Sequence, residues 1–221
     1  MIMITGASSG LGAALAGLYS DDEVSLTLTG RNQQRLEKVS AALNDNVVTH
    51  SADLCDPQSV SELFDSLTEV PSTVIHCAGS GYFGSIEEQD PIAIKQLLDN
   101  NVTSTIFFLR ELIQRYRNQK VDVVVVMSTA AKAGKAGEST YCAAKWAVRG
   151  LVESLRLELK DSPMKIIAVY PGGMATRFWE TSGKDLNTSS FMTALEAASM
   201  LKQALVSTKH GYISDITINR G

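Results

Sequence analysis

The segment Val121–Met127 packs five valines into seven residues, with Asp122 the only charged interruption. Such a run has no polar face, so as a strand it suits a sheet covered on both sides. The rest of the chain supplies the cover. Shorter apolar runs at Met1–Thr5, Val24–Thr29, Val47–Ala52, Ser72–Ala78, Lys165–Tyr170 and Tyr212–Asn219 read as six more strands. Between them, helical spacing marks Gly10–Tyr19, Gln33–Leu43, Val60–Leu67, Ser139–Lys160 and Thr193–Ser207. Asp56-Pro57 and Asp90-Pro91 each join a capping aspartate to a proline at the first helical position, and the helix from Asp90 extends as far as Arg117. Seven strands alternating with helices predict an α/β architecture, a doubly wound seven-stranded parallel sheet with helices on both faces. No linker, repeat or low-complexity stretch divides the 221 residues, so residues 1–221 read as one domain.

Charge and composition exclude several classes of partner. The net charge of -4 gives no basic face for nucleic acid or an anionic membrane. No apolar run approaches the ~20 residues of a membrane span, and Met1–Gly6 lacks the basic start of a signal peptide. Cys55, Cys77 and Cys142 are scattered without metal-ligand spacing, as expected of reduced thiols in a cytoplasmic protein with no metal site. His50, His76 and His210 are isolated, which points to structural or surface roles.

The first strand runs into Thr5-Gly6-Ala7-Ser8-Ser9-Gly10-Leu11-Gly12 at the head of a helix. Glycines let the backbone turn and come close to a pyrophosphate, and the N–H groups of the helix then face its charge. The spacing is G-x-x-x-G-x-G, not G-x-G-x-x-G, so the fold expected is Rossmann-like with a variant phosphate turn. The second strand ends in Thr29-Gly30-Arg31. An acidic residue there would bond the ribose hydroxyls of NAD(H). Gly30 leaves that place empty, and the Arg31 guanidinium suits the 2′-phosphate of NADP(H).

Tyr141 and Lys145 lie four apart and share a helix face. A tyrosine is a poor acid or base at neutral pH unless its pKa is lowered, and a neighbouring ammonium is expected to lower it. Ser128, thirteen residues before Tyr141 at the end of the valine strand, is placed to hold a substrate carbonyl. Asn101 lies inside the long helix, where a buried amide would hold a water against Lys145. Pro171-Gly172-Gly173-Met174-Ala175-Thr176 closes the next strand near the nicotinamide end of a cofactor.

With these motifs in order, the chain resembles the short-chain dehydrogenase/reductases of the single-domain branch, over essentially its whole length. The resemblance implies an oxidoreductase that interconverts a carbonyl and an alcohol by hydride transfer. In it Tyr141 is the general acid/base, Lys145 lowers its pKa and holds the ribose, Ser128 orients the carbonyl and Asn101 completes a proton relay. It also implies a cofactor site at Gly6, Ser8, Ser9, Gly10, Leu11, Gly12, Arg31, Asp53, Leu54, Ala78, Gly79, Tyr141, Lys145, Pro171, Gly172 and Thr176, with Asp53 on the adenine amino group. One departure is clear: Cys77-Ala78-Gly79 stands where the family usually has Asn-Ala-Gly, and Cys77 is expected to pack rather than react. Asn100 is a rival to Asn101, and Thr129 to Ser128.

Other readings follow from the same segments. The Ser-, Thr- and Gly-rich stretch Met174–Phe191 is expected to form a flap over a small carbonyl or alcohol substrate. Phe178 and Trp179 in the flap, with Tyr82 and Phe83, are candidates to line the pocket; its sparse charge (Arg177, Glu180, Lys184, Asp185) favours a small or apolar compound. Trp146 is expected to pack on its helix, and Glu153–Asp161 to present a solvated charged face. A homodimer or homotetramer is expected, through the helices holding Asn101 and Tyr141. The alternatives are an NADP(H)-sensing regulator without turnover, which would more often lose Tyr141 or Lys145, and a sugar-nucleotide epimerase or dehydratase, which would need a longer C-terminal region.

Overall fold

The computed structural model describes residues 1–22, 24–183, 186–206 and 210–221. Strands β1 (Ile2–Thr5), β2 (Leu26–Gly30), β3 (Val47–Ser51), β4 (Thr73–His76), β5 (Asp122–Val126) and β6 (Lys165–Pro171) alternate with helices α1 (Gly10–Ser20), α2 (Gln33–Ser40), α3 (Pro57–Asp65), α4 (Pro91–Leu98), α5 (Ser104–Tyr116) and α6 (Ser139–Glu158). Two short strands, β7 (Met174–Ala175) and β8 (Met192–Thr193), precede α7 (Ala194–Ala204) and β9 (Asp215–Ile218). The main sheet has the order β3-β2-β1-β4-β5-β6-β9, and every pairing in it is parallel. This is the Rossmann-like, doubly wound seven-stranded sheet expected from the alternation. From β1 the chain winds outward to β3, then returns to β4 and winds the other way. The strand ends at β1 and β4 therefore open a crevice at the switch point, where such sheets bind ligands.

The period of two along each strand divides the core. In β5, Val123 and Val125 face one side with Met3, Val74, Phe64 of α3 and Phe108 of α5. Val124 faces the other with Ile4, Ile75, Leu15 of α1 and Leu201 of α7. All of these are at most 2% exposed, and burying such a side chain is worth about 1.5–3 kcal/mol. The helix starts follow local chemistry. Asp56 accepts from the N–H groups of Gln58 and Ser59, and Asp90 from that of Ile92. Thr193 and Glu196 form a capping box on α7.

Several boundaries differ from the sequence expectation. The helix from Asp90 does reach Tyr116, but Asp99–Thr103 is a π-turn between α4 and α5. The helix read over Gln33–Leu43 stops at Ser40, and the last strand pairs only over Asp215–Ile218. The final helix covers Ala194–Ala204, while Ser207 lies outside the described residues. The expected flap contains a 3₁₀ turn, Arg177–Thr181, and is bracketed by the paired strands β7 and β8; its Lys184 and Asp185 lie outside the described residues. Trp146 does not pack inward: it is 46% exposed, with the Arg149 guanidinium 5.4 Å from its ring. The charged end of α6 is not wholly solvated either, because Arg156 reaches back to Asp215 at 3.0 Å and to the Ile166 carbonyl at 2.9 Å. Among the described residues, no helix is long and apolar enough to cross a membrane.

Candidate active site

The turn between β1 and α1 is built on backbone positions that only glycine fills easily. Gly6 has a φ of 65°, and a Cβ there would stand 2.8 Å from the Ala78 nitrogen. A Cβ on Gly12 would lie 2.6 Å from the Gly6 carbonyl oxygen. The turn is thus wedged against the end of β4, and the first turn of α1, whose Ser9 makes no side-chain cap, borders the crevice.

A cavity of about 420 Å³ runs along that crevice. At one end stand Arg31, Asp53 and Leu54; in the middle lie Gly6, Ser8, Ser9, Gly10, Leu11 and Gly12, facing Ala78 and Gly79. At the other end are Ser128, Tyr141 and Lys145, with Pro171, Gly172 and Thr176 beside them. The structure thus gathers the expected cofactor and catalytic residues along one cavity, with Asn101 just behind its wall, whereas Tyr82, a candidate to line the pocket, does not line it and accepts from the Asp90 N–H at 2.9 Å. Arg35 also lines it and was missed. Its signal was present: a second arginine in the first turn of the helix that follows Arg31. Asn100 separates from Asn101 here. Its Oδ1 accepts from Arg31 Nη1 at 2.8 Å, which ties the two sides of the cavity together.

Asn101 sits in the π-turn, a distortion frequent at functional sites. Its Nδ2 donates to the carbonyls of Leu97 (2.8 Å) and Ser80 (2.9 Å), which orients the amide unambiguously. Oδ1 then points the other way, buried and without a partner. A Cβ on Gly79 would stand 2.8 Å from that oxygen and 3.2 Å from Lys145 Nζ. The two polar atoms therefore converge over the bare Cα of Gly79.

A buried hydrogen-bond chain holds this arrangement from behind. Ala78 N–H donates to Thr5 Oγ1, which bonds His76 Nδ1 at 2.9 Å; His76 Nε2 bonds Thr105 Oγ1 at 3.0 Å, and Thr105 donates to the Asn101 carbonyl at 2.6 Å. Thr105 spends its one proton on the Asn101 carbonyl, so His76 carries a proton on Nε2. Burial, helped by the Lys145 charge, lowers the His76 pKa to about 3. The isolated histidine of the sequence is thus a structural strut between β1, β4 and the π-turn.

Tyr141 and Lys145 project from α6, each 6% exposed, and the ammonium lies 5.6 Å from the tyrosine ring centre. Burial raises the Tyr141 pKa above its ordinary value; a hydrogen bond with Ser128 opposes this, and the Glu138 carboxylate adds to it. Burial also pushes Lys145 down to about 8. The lowered phenol expected from the Tyr–Lys spacing is therefore not a property of the protein alone, because burial of Tyr141 dominates its titration. Cys77 is half-buried on the cavity wall, and burial raises its thiol to about 12 despite Lys145, so it stays protonated and packs. No cluster of metal-ligating side chains occurs among the described residues.

Residues 1–187 match the family model described as short chain dehydrogenase. A solved short-chain dehydrogenase/reductase from Vibrio parahaemolyticus is 55% identical, with a TM-score of 0.93 and full coverage of both chains. An uncharacterized oxidoreductase of Staphylococcus epidermidis is 25% identical, over 98% of this chain and 95% of its own. The alcohol dehydrogenase of Thermococcus sibiricus, solved with 5-hydroxy-NADP, is 23% identical with a TM-score of 0.89, over 98% of this chain and 95% of that one.

Proposed function

The chain belongs to the short-chain dehydrogenase/reductase family of oxidoreductases, and from that premise we propose that residues 1–221 act as one NADP(H)-dependent domain reducing a small-molecule carbonyl to an alcohol. One observation carries the reading: Asn101 Oδ1 and Lys145 Nζ converge over Gly79, beside a buried Tyr141 that shares the cavity wall with Ser128. The cofactor fits the residues present. Gly6 and Gly12 leave no room for a Cβ in the turn, and Arg31 and Arg35 line the same cavity with guanidinium groups suited to a 2′-phosphate. Solved neighbours of the same fold carry NADP, among them the Thermococcus enzyme.

When bound, NADP(H) supplies the hydride to the carbonyl carbon, or takes it up in the reverse direction. Ser128 donates a hydrogen bond to the carbonyl oxygen and holds it beside Tyr141. Tyr141 gives that oxygen its proton. Burial keeps the phenol protonated at neutral pH, which is the form a reduction consumes. The Lys145 ammonium stabilises the phenolate left behind and holds the ribose. Asn101 Oδ1 accepts the hydrogen bond through which Lys145 is fed protons from water. The three free cysteines accord with a cytoplasmic setting, and exposed Ile106 of α5 and Trp146 of α6 with pairing of copies through those helices.

The decisive experiment follows NADPH absorbance over a panel of aldehydes and ketones, with Tyr141→Phe as control. Turnover lost in the variant supports the reading. NADPH binding without turnover of any carbonyl would favour the regulator instead.

A further inference from the structure

Resting on the reading that Tyr141 serves a carbonyl, we propose that the substrate is an uncharged aryl ketone or aldehyde, whose ring packs into a chamber walled by Phe83, Phe178 and Trp179. The chamber is built from both sides of the crevice. Phe83 follows β4, and its ring meets that of Tyr141 edge-on at 5.2 Å and 81°. Phe178 comes from the 3₁₀ turn after β7 and meets Tyr141 at 5.8 Å and Trp179 at 5.3 Å. Trp179 stands 5.6 Å from Phe83 and is held in orientation by its Nε1 bond to the Met174 carbonyl, 2.8 Å long. On this side Tyr141 meets the rings of Phe83 and Phe178, and both of those meet Trp179.

Phe178 is itself seated where a side chain at position 81 would be. A Cβ on Gly81 would stand 2.4 Å from Phe178 Cζ, so the tip of the ring lies directly on bare backbone. Gly81 thus accommodates the flat Phe178 ring and would not accommodate a side chain of its own. An aryl group that enters recovers the edge-to-face contacts it displaces, each worth about 2- to 12-fold in binding. A saturated ring recovers area but not the quadrupole term.

Charge points the same way. Among the described residues at this end besides Lys145, Arg177 pairs with Glu180 at 2.9 Å, Lys135 bonds the neutral Thr129 hydroxyl at 3.2 Å, and Arg220 lies 4.4 Å from the centre of the Phe191 ring. The charge that bears directly on Tyr141 is the Glu138 carboxylate. A substrate anion would lose its water among rings and face that carboxylate.

The test compares three ketones with the full-length enzyme and NADPH: acetophenone, cyclohexyl methyl ketone and benzoylformate. Acetophenone is expected to exceed the cyclohexyl ketone in kcat/KM by about tenfold and benzoylformate by about a hundredfold, on the contact and desolvation terms above. Phe83→Leu should shrink the first ratio below about threefold while the cyclohexyl ketone is still reduced. Binding is read separately. The chain has two tryptophans, so Trp146→Phe leaves Trp179 as the sole emitter, and in that background with Tyr141→Phe, acetophenone should quench it saturably in the presence of NADPH. Turnover with equal or better use of the cyclohexyl or charged ketone overturns this proposal and leaves the carbonyl reading standing. Saturable quenching without turnover of any carbonyl overturns the carbonyl reading and leaves an aryl site. Neither turnover nor quenching overturns both.

Discussion

At one end of the cavity Tyr141 and Lys145 are 6% exposed and Asn101 1%, while at the other Arg31, Arg35 and Asp53 stand in water. The buried end is wired before any ligand arrives. Asn101 is held by two carbonyls through its amide and by Thr105 through its backbone. In a low-dielectric site each such bond is strengthened, and each misplaced polar atom costs more. The open end relies on exposed guanidinium groups, one of them linked to Asn100. Exposed charges are screened and individually weak. The difference suits the two tasks: proton transfer needs groups oriented in advance, whereas choosing between cofactors needs only a difference in affinity.

The largest expected effect tests the buried end. Tyr141→Phe should lower kcat by about 10²–10⁴-fold while NADPH affinity, measured by fluorescence titration, changes little. Full activity in this variant would remove the proton donor from the mechanism.

At the open end the effect should be smaller and confined to one cofactor. Arg31→Asp should weaken NADPH binding by about 1.5–3 kcal/mol, roughly ten- to 150-fold, and NADH far less. Equal losses for the two cofactors would sink the 2′-phosphate assignment.

The strut behind the buried end carries a pH signature. His76 has a folded pKa of about 3 against an ordinary 6.5, so as pH falls the unfolded chain takes up the proton first. Its contribution to stability is intact above pH 6.5 and drains away towards pH 3, at up to about 1.4 kcal/mol per pH unit. Urea melts of His76→Asn over that range should show a shallower acid limb than the wild type. An equally steep limb would mean that His76 is not held neutral by its surroundings.

The smallest effect is expected at the link between the sides. Asn100→Ala removes one exposed hydrogen bond to Arg31, so NADPH affinity should fall by less than about threefold, roughly 0.5 kcal/mol. A tenfold loss would show that the open end is ordered in advance as well, and the contrast between the ends would weaken.

Much of the fold was legible because its signals are local. A valine strand, a capping aspartate followed by proline, and a glycine turn each act over a few residues. The π-turn was not, since nothing in Asp99–Thr103 forbids a regular helix; its side-chain ties, to the Leu97 and Ser80 carbonyls, are partly local and partly across the crevice. Arg35 was missed because a lone helix arginine looks like any solvated one until α2 is set beside the crevice. Trp146 was misjudged for the opposite reason: large rings usually find cover, and here the rest of the fold offers none.

Sequence alone determined the parallel sheet, the family resemblance and the candidate residues at positions 101, 128, 141 and 145. The pairing of Tyr141 with Lys145 is a matter of helical repeat, and it was readable without coordinates. What the pair does electrostatically was decided only by tertiary structure. Spacing along a helix predicts a lowered phenol, but burial depends on which elements close over it, and here desolvation raises Tyr141 and lowers Lys145. The chamber of rings around Tyr141 has the same origin, because Phe83 and Phe178 lie far apart in the chain and meet only when the segment after β4 and the 3₁₀ turn pack together.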